Sequence, residues 1–415
     1  MSDKHKQAGM RGDDDDAKDA NGGDHVDKEA SAPAKRSAVR ALIQDFSPVW
    51  FTWCMNSGIL SLLIHVLPYQ FNGQHQISTV LFVIDLVLFV ICSILMLLRF
   101  GLYGKAAVKE LALDVQELCF MGTWVISWMT LVSLTAVIVS NAYWGGKAFT
   151  IVAVVMWWIA VAWTMLTFLV IYLILTQKEL TAAKNLSLAI ILPAVATATT
   201  AVEGGLVAVY AFEISARLAV PMIVVSYLML GIGLLVALLI YALWLQRLLV
   251  TGWFPGEKQP SLCLLLGPTG QSATGFLVLA RASKMHFGAY NKGTFLQESS
   301  ATALHGGSVL LALLVYGLGV FWLLFTVYGI LDATVRRETK WTPAWYSTIF
   351  PTGTMNSALF LFSEEMDSPI FRVLATGLLI ILILSYIFNI LFTIRGIARG
   401  QVLIVREDYR LKKKS

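Results

Sequence analysis

Ten stretches of about 20 apolar residues recur along the chain, at approximate positions 46–68, 77–100, 119–141, 149–177, 187–211, 217–247, 261–283, 306–331, 345–363 and 370–395. No water-soluble core of 415 residues could bury them all, whereas each is long enough to cross a bilayer as a helix. The predicted fold is therefore an all-α polytopic membrane protein with ten transmembrane helices. Charge agrees: 57% of residues are hydrophobic and 14% charged, and many of the charges fall at the two ends. Residues 1–45 carry 8 Lys+Arg and 10 Asp+Glu, and residues 395–415 carry 7 and 2. The expected organisation is a disordered acidic tail (1–45), a ten-helix transport domain (46–395) and a basic tail (396–415).

An even number of spans places both tails on one side of the membrane. Loops sharing that side contain ten basic residues (Arg99, Lys105, Lys109, Lys178, Lys184, Arg247, Lys258, Arg336, Arg337, Lys340). The opposite loops contain six (Lys147, Arg217, Arg281, Lys284, Lys292, Arg372). The excess of positive charge predicts cytosolic termini. On that orientation the sequon Asn185-Leu186-Ser187 is cytosolic and unused. No basic region followed by an apolar core opens the sequence, so the first membrane helix is expected to direct insertion.

The spans differ in alternation. Odd-numbered ones carry helix-perturbing and small polar residues: Pro48 with Asn56, Ser57 and Gly58 in the first, Gly122 and Thr123 in the third, Pro193, Thr197 and Glu203 in the fifth, Gly267, Pro268, Gly270 and Gln271 in the seventh, and Pro351, Thr352 and Gly353 in the ninth. Even-numbered spans read as smooth apolar runs such as LFVIDLVLFVICSILMLL at 81–98. Broken, polar-spotted helices belong where backbone is shielded from lipid. The pattern predicts five helical hairpins, each giving one inner and one outer helix, with the inner five in a pseudo-five-fold ring around a pore. The competing explanation is that Gly, Ser and Thr simply let helices pack closely.

A pathway walled by these helices would be apolar and hydroxyl-rich, with Thr123, Thr197, Thr199, Thr200, Gln271, Thr274 and Thr352 available and no Lys or Arg at mid-membrane depth. Hydroxyls, and N–H groups freed at helix breaks, can solvate an anion loosely enough for release. A cation pathway would show carboxylate rings, and only Glu203 is a candidate. Glu203 and Asp85 lie deepest in apolar sequence. Such a carboxyl is protonated, paired or part of a proton relay, and Asp85, on an outer helix, reads as bonded to a neighbouring helix. Phe350, just before Pro351, is either packing or a steric gate beside a kink.

Other chemistries find no footing. GPTGQSATG (267–275) lacks the GK[ST] ending of a phosphate loop. Cys54, Cys92, Cys119 and Cys263 are dispersed and read as packing residues. His5, His25, His65, His75, His286 and His305 show no metal spacing and read mostly as solvated. No Ser, His and acid grouping stands out, so an enzyme, a cofactor, a metal and a nucleic-acid partner are not expected. Membrane lipid is the expected surround.

The strings FSPVWFTWCMNSGI, FMGTW, LLLGPTGQSATGFLVL and WYSTIFPTGTMNS, with the ten-span pattern, resemble the tellurite-resistance and dicarboxylate transporter family over residues 46 to about 400. That family includes plant guard-cell slow anion channels, fungal malic acid transporters and fungal sulfite efflux pumps. GPTGQ, FPTGTM and FRVLATG look more like the sulfite branch than the malic acid branch. The third span departs from it, reading GTWVISWMTLVSL where sulfite pumps usually carry GT-x-PMG and an Asn, as does NSG in the first, where a GTG-like string is common. The resemblance implies a homotrimer with a pore in each protomer, occluded by Phe350. It implies a plasma-membrane exporter of sulfite or bisulfite, with a malate or C4-dicarboxylate transporter or a general anion channel of the same family as the alternative. A non-transporting membrane sensor is the reading from a different class.

Overall fold

The computed structural model describes residues 38–177, 186–293 and 295–399, and no strand occurs among them. Most of both tails therefore lies outside the described residues; Ala38–Gln44 forms a short helix, α1, where a disordered tail was expected, and residues 396–398 continue the last helix. Asn185 of the sequon, with Lys178 and Lys184, is also outside.

Each of the ten apolar runs contains a helix. The odd-numbered runs give α2 (Phe51–His65), α4 (Val115–Leu134), α6 (Leu192–Tyr210), α8 (Leu266–Tyr290) and α10 (Phe350–Glu365). The even-numbered runs give α3 (Gln74–Leu113), α5 (Lys147–Gln177), α7 (Ala216–Thr251), α9 (Glu298–Val335) and α11 (Pro369–Ala398). By length and composition eight helical segments can cross a membrane, while α2 and α10 have 15 and 16 residues. The even helices outrun their apolar stretches: α3 has 40 residues and α9 has 38. Hydropathy marks only the part of a helix that touches lipid, and α3 continues past Arg99 and Lys105 with one non-helical residue at Gly104.

Burial separates the two sets. In the most apolar windows of α3, α5, α9 and α11 only 22–28% of residues are buried, and 39% in α7. The corresponding shares are 83% for the segment containing α4 and 94% for those containing α6 and α8. In α2, 13 of 15 residues are buried. The smooth helices thus turn their apolar side chains outward, as lipid contact requires, and the polar-spotted ones are wrapped by protein. Each inner helix packs on the outer helix that follows it, and the inner helices touch in the cyclic order α2, α4, α6, α8, α10 and back to α2.

The prolines do not interrupt the inner helices. Pro193 and Pro351 occupy the first turns of α6 and α10, Pro268 the first turn of α8, and Pro48 opens a 3-10 turn, Pro48–Trp50, leading into α2. Similar 3-10 segments, Leu188–Ile191, Gly256–Leu265 and Pro343–Thr348, lead into α6, α8 and α10. Proline suits these places because its fixed φ matches a helix start and the N–H it lacks has no partner there. Among the described residues, the one proline within an α-helix beyond its first turn, Pro221, is in α7, an outer helix. The expectation of broken inner helices is corrected accordingly: they begin irregularly and then run smoothly, apart from the π-turn Thr135–Val139 that ends α4.

Candidate functional site

At the end of the ring where the inner helices begin, Asn56 of α2 is fully buried and clamps the start of α10. Its amide nitrogen donates to the Tyr346 carbonyl at 2.9 Å, and its carbonyl accepts from the Phe350 N–H at 3.0 Å. One side chain therefore bonds the last 3-10 turn and the first α-helical residue, fixing where α10 starts. Phe350 is 2% exposed and belongs to an apolar cluster with Met55, Ile59, Leu192 and Leu266 from α2, α6 and α8. Its N–H, one of those expected to be free, is taken by Asn56. Thr123 donates to the Pro48 and Phe120 carbonyls, and Thr352 lies beside Cys263.

Midway along the ring, the Gln271 amide of α8 donates to the Thr199 hydroxyl of α6 at 3.0 Å. Glu203 sits one turn beyond Thr199, on the same helix face, since residues i and i+4 superpose. It is 5% exposed, its Oε2 has no hydrogen-bond partner, and Ser133 of α4 is its polar neighbour. Asp85 projects from outer helix α3 into the bundle, accepting from the Thr130 hydroxyl of α4 at 2.8 Å. That is the interhelical bond its sequence setting suggested.

The glycines sit at seams. Gly122 lies against Leu192, Gly267 against Val195, and Gly353 against Ile59. A Cβ on Gly270 would overlap the Thr354 hydroxyl and come within 2.6 Å of the Met355 backbone nitrogen, so α8 and α10 meet there at a spacing only glycine permits. One on Gly58 would overlap Asp85 and approach the Thr130 Cβ to 2.5 Å. These contacts are the close-packing role that sequence alone left as the alternative. Ser57 and Thr197 are directed at outer helices, Ser57 bonding the Tyr386 hydroxyl of α11 at 2.6 Å and Thr197 abutting Gly233 of α7.

The other end of the ring holds a group the sequence did not bring together. Arg281, counted above as a loop residue, lies within α8, seven residues beyond Thr274 and thus on the same face. Its Nη1 bonds Glu364 at 2.7 Å and the Tyr210 hydroxyl at 3.4 Å, and its Nη2 bonds Glu365 at 3.0 Å. His305 of α9 bonds the other oxygen of Glu365 at 3.0 Å, and His286 reaches the Ala208 carbonyl at 2.7 Å, so neither is merely solvated. The adjacent acids at the end of the ninth span and the arginine at the end of the seventh were visible signals, but only folding shows that they meet.

A buried ring of hydroxyl- and amide-bearing helices inside a lipid-facing shell defines a polytopic membrane channel or transporter, a class distinct from enzymes. The family model described as SLAC1, voltage-dependent anion channel, matches residues 45–394, and the chain belongs to that family. The chain is 27% identical over 372 residues to a sulfite efflux pump of Trichophyton rubrum, covering 90% of this chain and 96% of the relative. It is 26% identical to a sulfite efflux pump of Arthroderma benhamiae with the same coverage. A malic acid transport protein of Schizosaccharomyces pombe is 23% identical over 85% of this chain and 79% of the relative.

Proposed function

We propose that the protein exports sulfite or bisulfite across the plasma membrane, through a passage enclosed by α2, α4, α6, α8 and α10 and gated by Phe350. The observation that carries this reading is the closed ring of inner helices, all starting at one end, whose buried mid-depth polar groups are hydroxyls and amides with the single carboxyl of Glu203 and without a lysine or arginine. Anions are held there by neutral donors such as the second N–H of the Gln271 amide, whose first is given to Thr199, which suits weak binding and quick release. The inner-helix starts present the positive ends of five helix dipoles to an arriving anion. The similarity to sulfite efflux pumps supports sulfite as the first substrate, and that to a malic acid transport protein supports a C4-dicarboxylate as the second. Burial of Phe350 at the start of α10, where Asn56 of α2 holds its N–H, supports the gating role. Cytosolic termini and a trimer with one passage per protomer complete the proposal.

The test is flux in liposomes containing the purified protein, with sulfite, malate, nitrate and chloride, with and without a pH gradient. Sulfite flux is expected, and malate flux without sulfite flux overturns the substrate assignment. Absence of all flux overturns transport and leaves the sensor reading.

A further inference from the structure

Among the charged groups at the far end of the ring, Arg281 is oversubscribed. One guanidinium faces two carboxylates, each within 3.0 Å, so the three groups together carry one net negative charge when all are ionised. An anion leaving the ring would be repelled by that arrangement unless a carboxylate gave up its place. The two acids are not held equally. Glu365 is 13% exposed and is bonded through one oxygen to Arg281 and through the other to His305. Glu364 is 50% exposed and bonds Arg281 alone among the described residues. Lys284 is on the same helix end, one turn further on, and Glu298, Asp367 and Arg372 are nearby in sequence, but none of them shares these bonds.

We infer that Arg281 is the exit-side binding residue for a small oxyanion and that Glu364 is a tethered competitor that occupies it between transport events. The guanidinium presents two N–H edges, a geometry that fits a carboxylate and an oxyanion of sulfur or nitrogen equally well. When Glu364 swings into water, Nη1 is vacated while Glu365 keeps Nη2 in place. The Tyr210 hydroxyl, which accepts from Nη1 at 3.4 Å, has its own proton free to donate to the incoming oxygen. The site then holds a positive edge and a hydroxyl donor toward the anion, and return of Glu364 expels it. No covalent step is involved, and the exchange is one carboxylate for one anion.

This inference rests on the anion-transport reading, and the experiment separates the two. Liposomes containing the wild type, Glu364→Gln or Arg281→Gln are assayed for nitrate flux, since nitrate does not titrate near neutral pH, and nitrate binding is followed in parallel by thermal shift of the detergent-purified proteins. Removing the competitor is expected to lower the KM for nitrate, and the binding midpoint with it, by about 3- to 10-fold; removing the guanidinium is expected to raise both by about 10-fold or more, as loss of a charge-assisted bond does. Glu365→Gln, which loses an ion pair without freeing Nη1, is expected to raise KM or lower stability instead. A purely structural network would shift all three variants the same way, and that outcome, or unchanged KM in Glu364→Gln and Arg281→Gln, overturns the inference. If the wild type itself carries no anion, the transport reading fails, and thermal shift alone decides whether Arg281 binds one.

Discussion

Phe350 takes its position from a residue 294 positions earlier in the chain, because the Asn56 side chain holds its N–H. Replacing Asn56 by Leu leaves that N–H buried without a partner, worth about 1–3 kcal/mol, and leaves the Tyr346 carbonyl with only the Ile349 N–H. The variant is expected to melt several degrees lower and, at equal protein, to leak anions faster because the start of α10 is no longer fixed. Phe350→Ala should raise anion conductance per protein while also lowering Tm, since truncating a buried Phe costs about 3–5 kcal/mol; unchanged or lower flux would count against occlusion. Glu203→Gln tests the inner carboxyl whose Oε2 lacks a partner. A change in flux or in its pH dependence is expected, and identical behaviour at equal expression would remove Glu203 from the transport path. Individual chemistry was readable at these residues before folding, since a Phe before Pro in a polar-spotted span and a lone Glu in apolar sequence both stand out. Their partners were not readable, because Asn56 and Phe350, or Arg281 and Glu364, meet only through the ring.

Elements were the most legible level, since apolar runs of bilayer length have one economical solution in lipid, and the alternation of polar-spotted and smooth runs foretold which helices would be wrapped. What periodicity could not supply was the place of the prolines. A proline in an apolar run looks the same whether it kinks a helix or starts one, and the difference lies in the 3-10 turns ahead of α6, α8 and α10. The glycines were ambiguous for the same reason. Gly270→Ala forces the α8 and α10 backbones apart and is expected to cost about 1–3 kcal/mol as overpacking, seen as a lower Tm in detergent. Gly377→Ala is the control, because a Cβ there meets nothing within 4 Å and α11 is already helical. Equal melting of the two variants would mean that the seam can yield.

At the scale of the whole molecule, the outer helices expose large apolar side chains such as Leu228, Leu239, Leu314 and Leu384, each more than 60% accessible in the single chain. That surface suits both lipid and neighbouring subunits. The trimer proposal predicts a particle of three chains by native mass spectrometry or by light scattering corrected for detergent, and a monomer at all concentrations would refute it. Cytosolic termini predict that tags at either end are reached by antibody only after cells are permeabilised.

In the proposed passage, the shared direction of α2, α4, α6, α8 and α10 makes the two mouths electrically unlike. Positive helix ends gather at the tail side, while at the other Glu364 and Glu365 share the one guanidinium of Arg281. With the same anion concentration on both sides of a bilayer, the current–voltage curve is therefore expected to bend, passing more anion outward from the tail side than in reverse at an equal and opposite voltage. The protein would act as a rectifier, biased toward efflux before any gate moves.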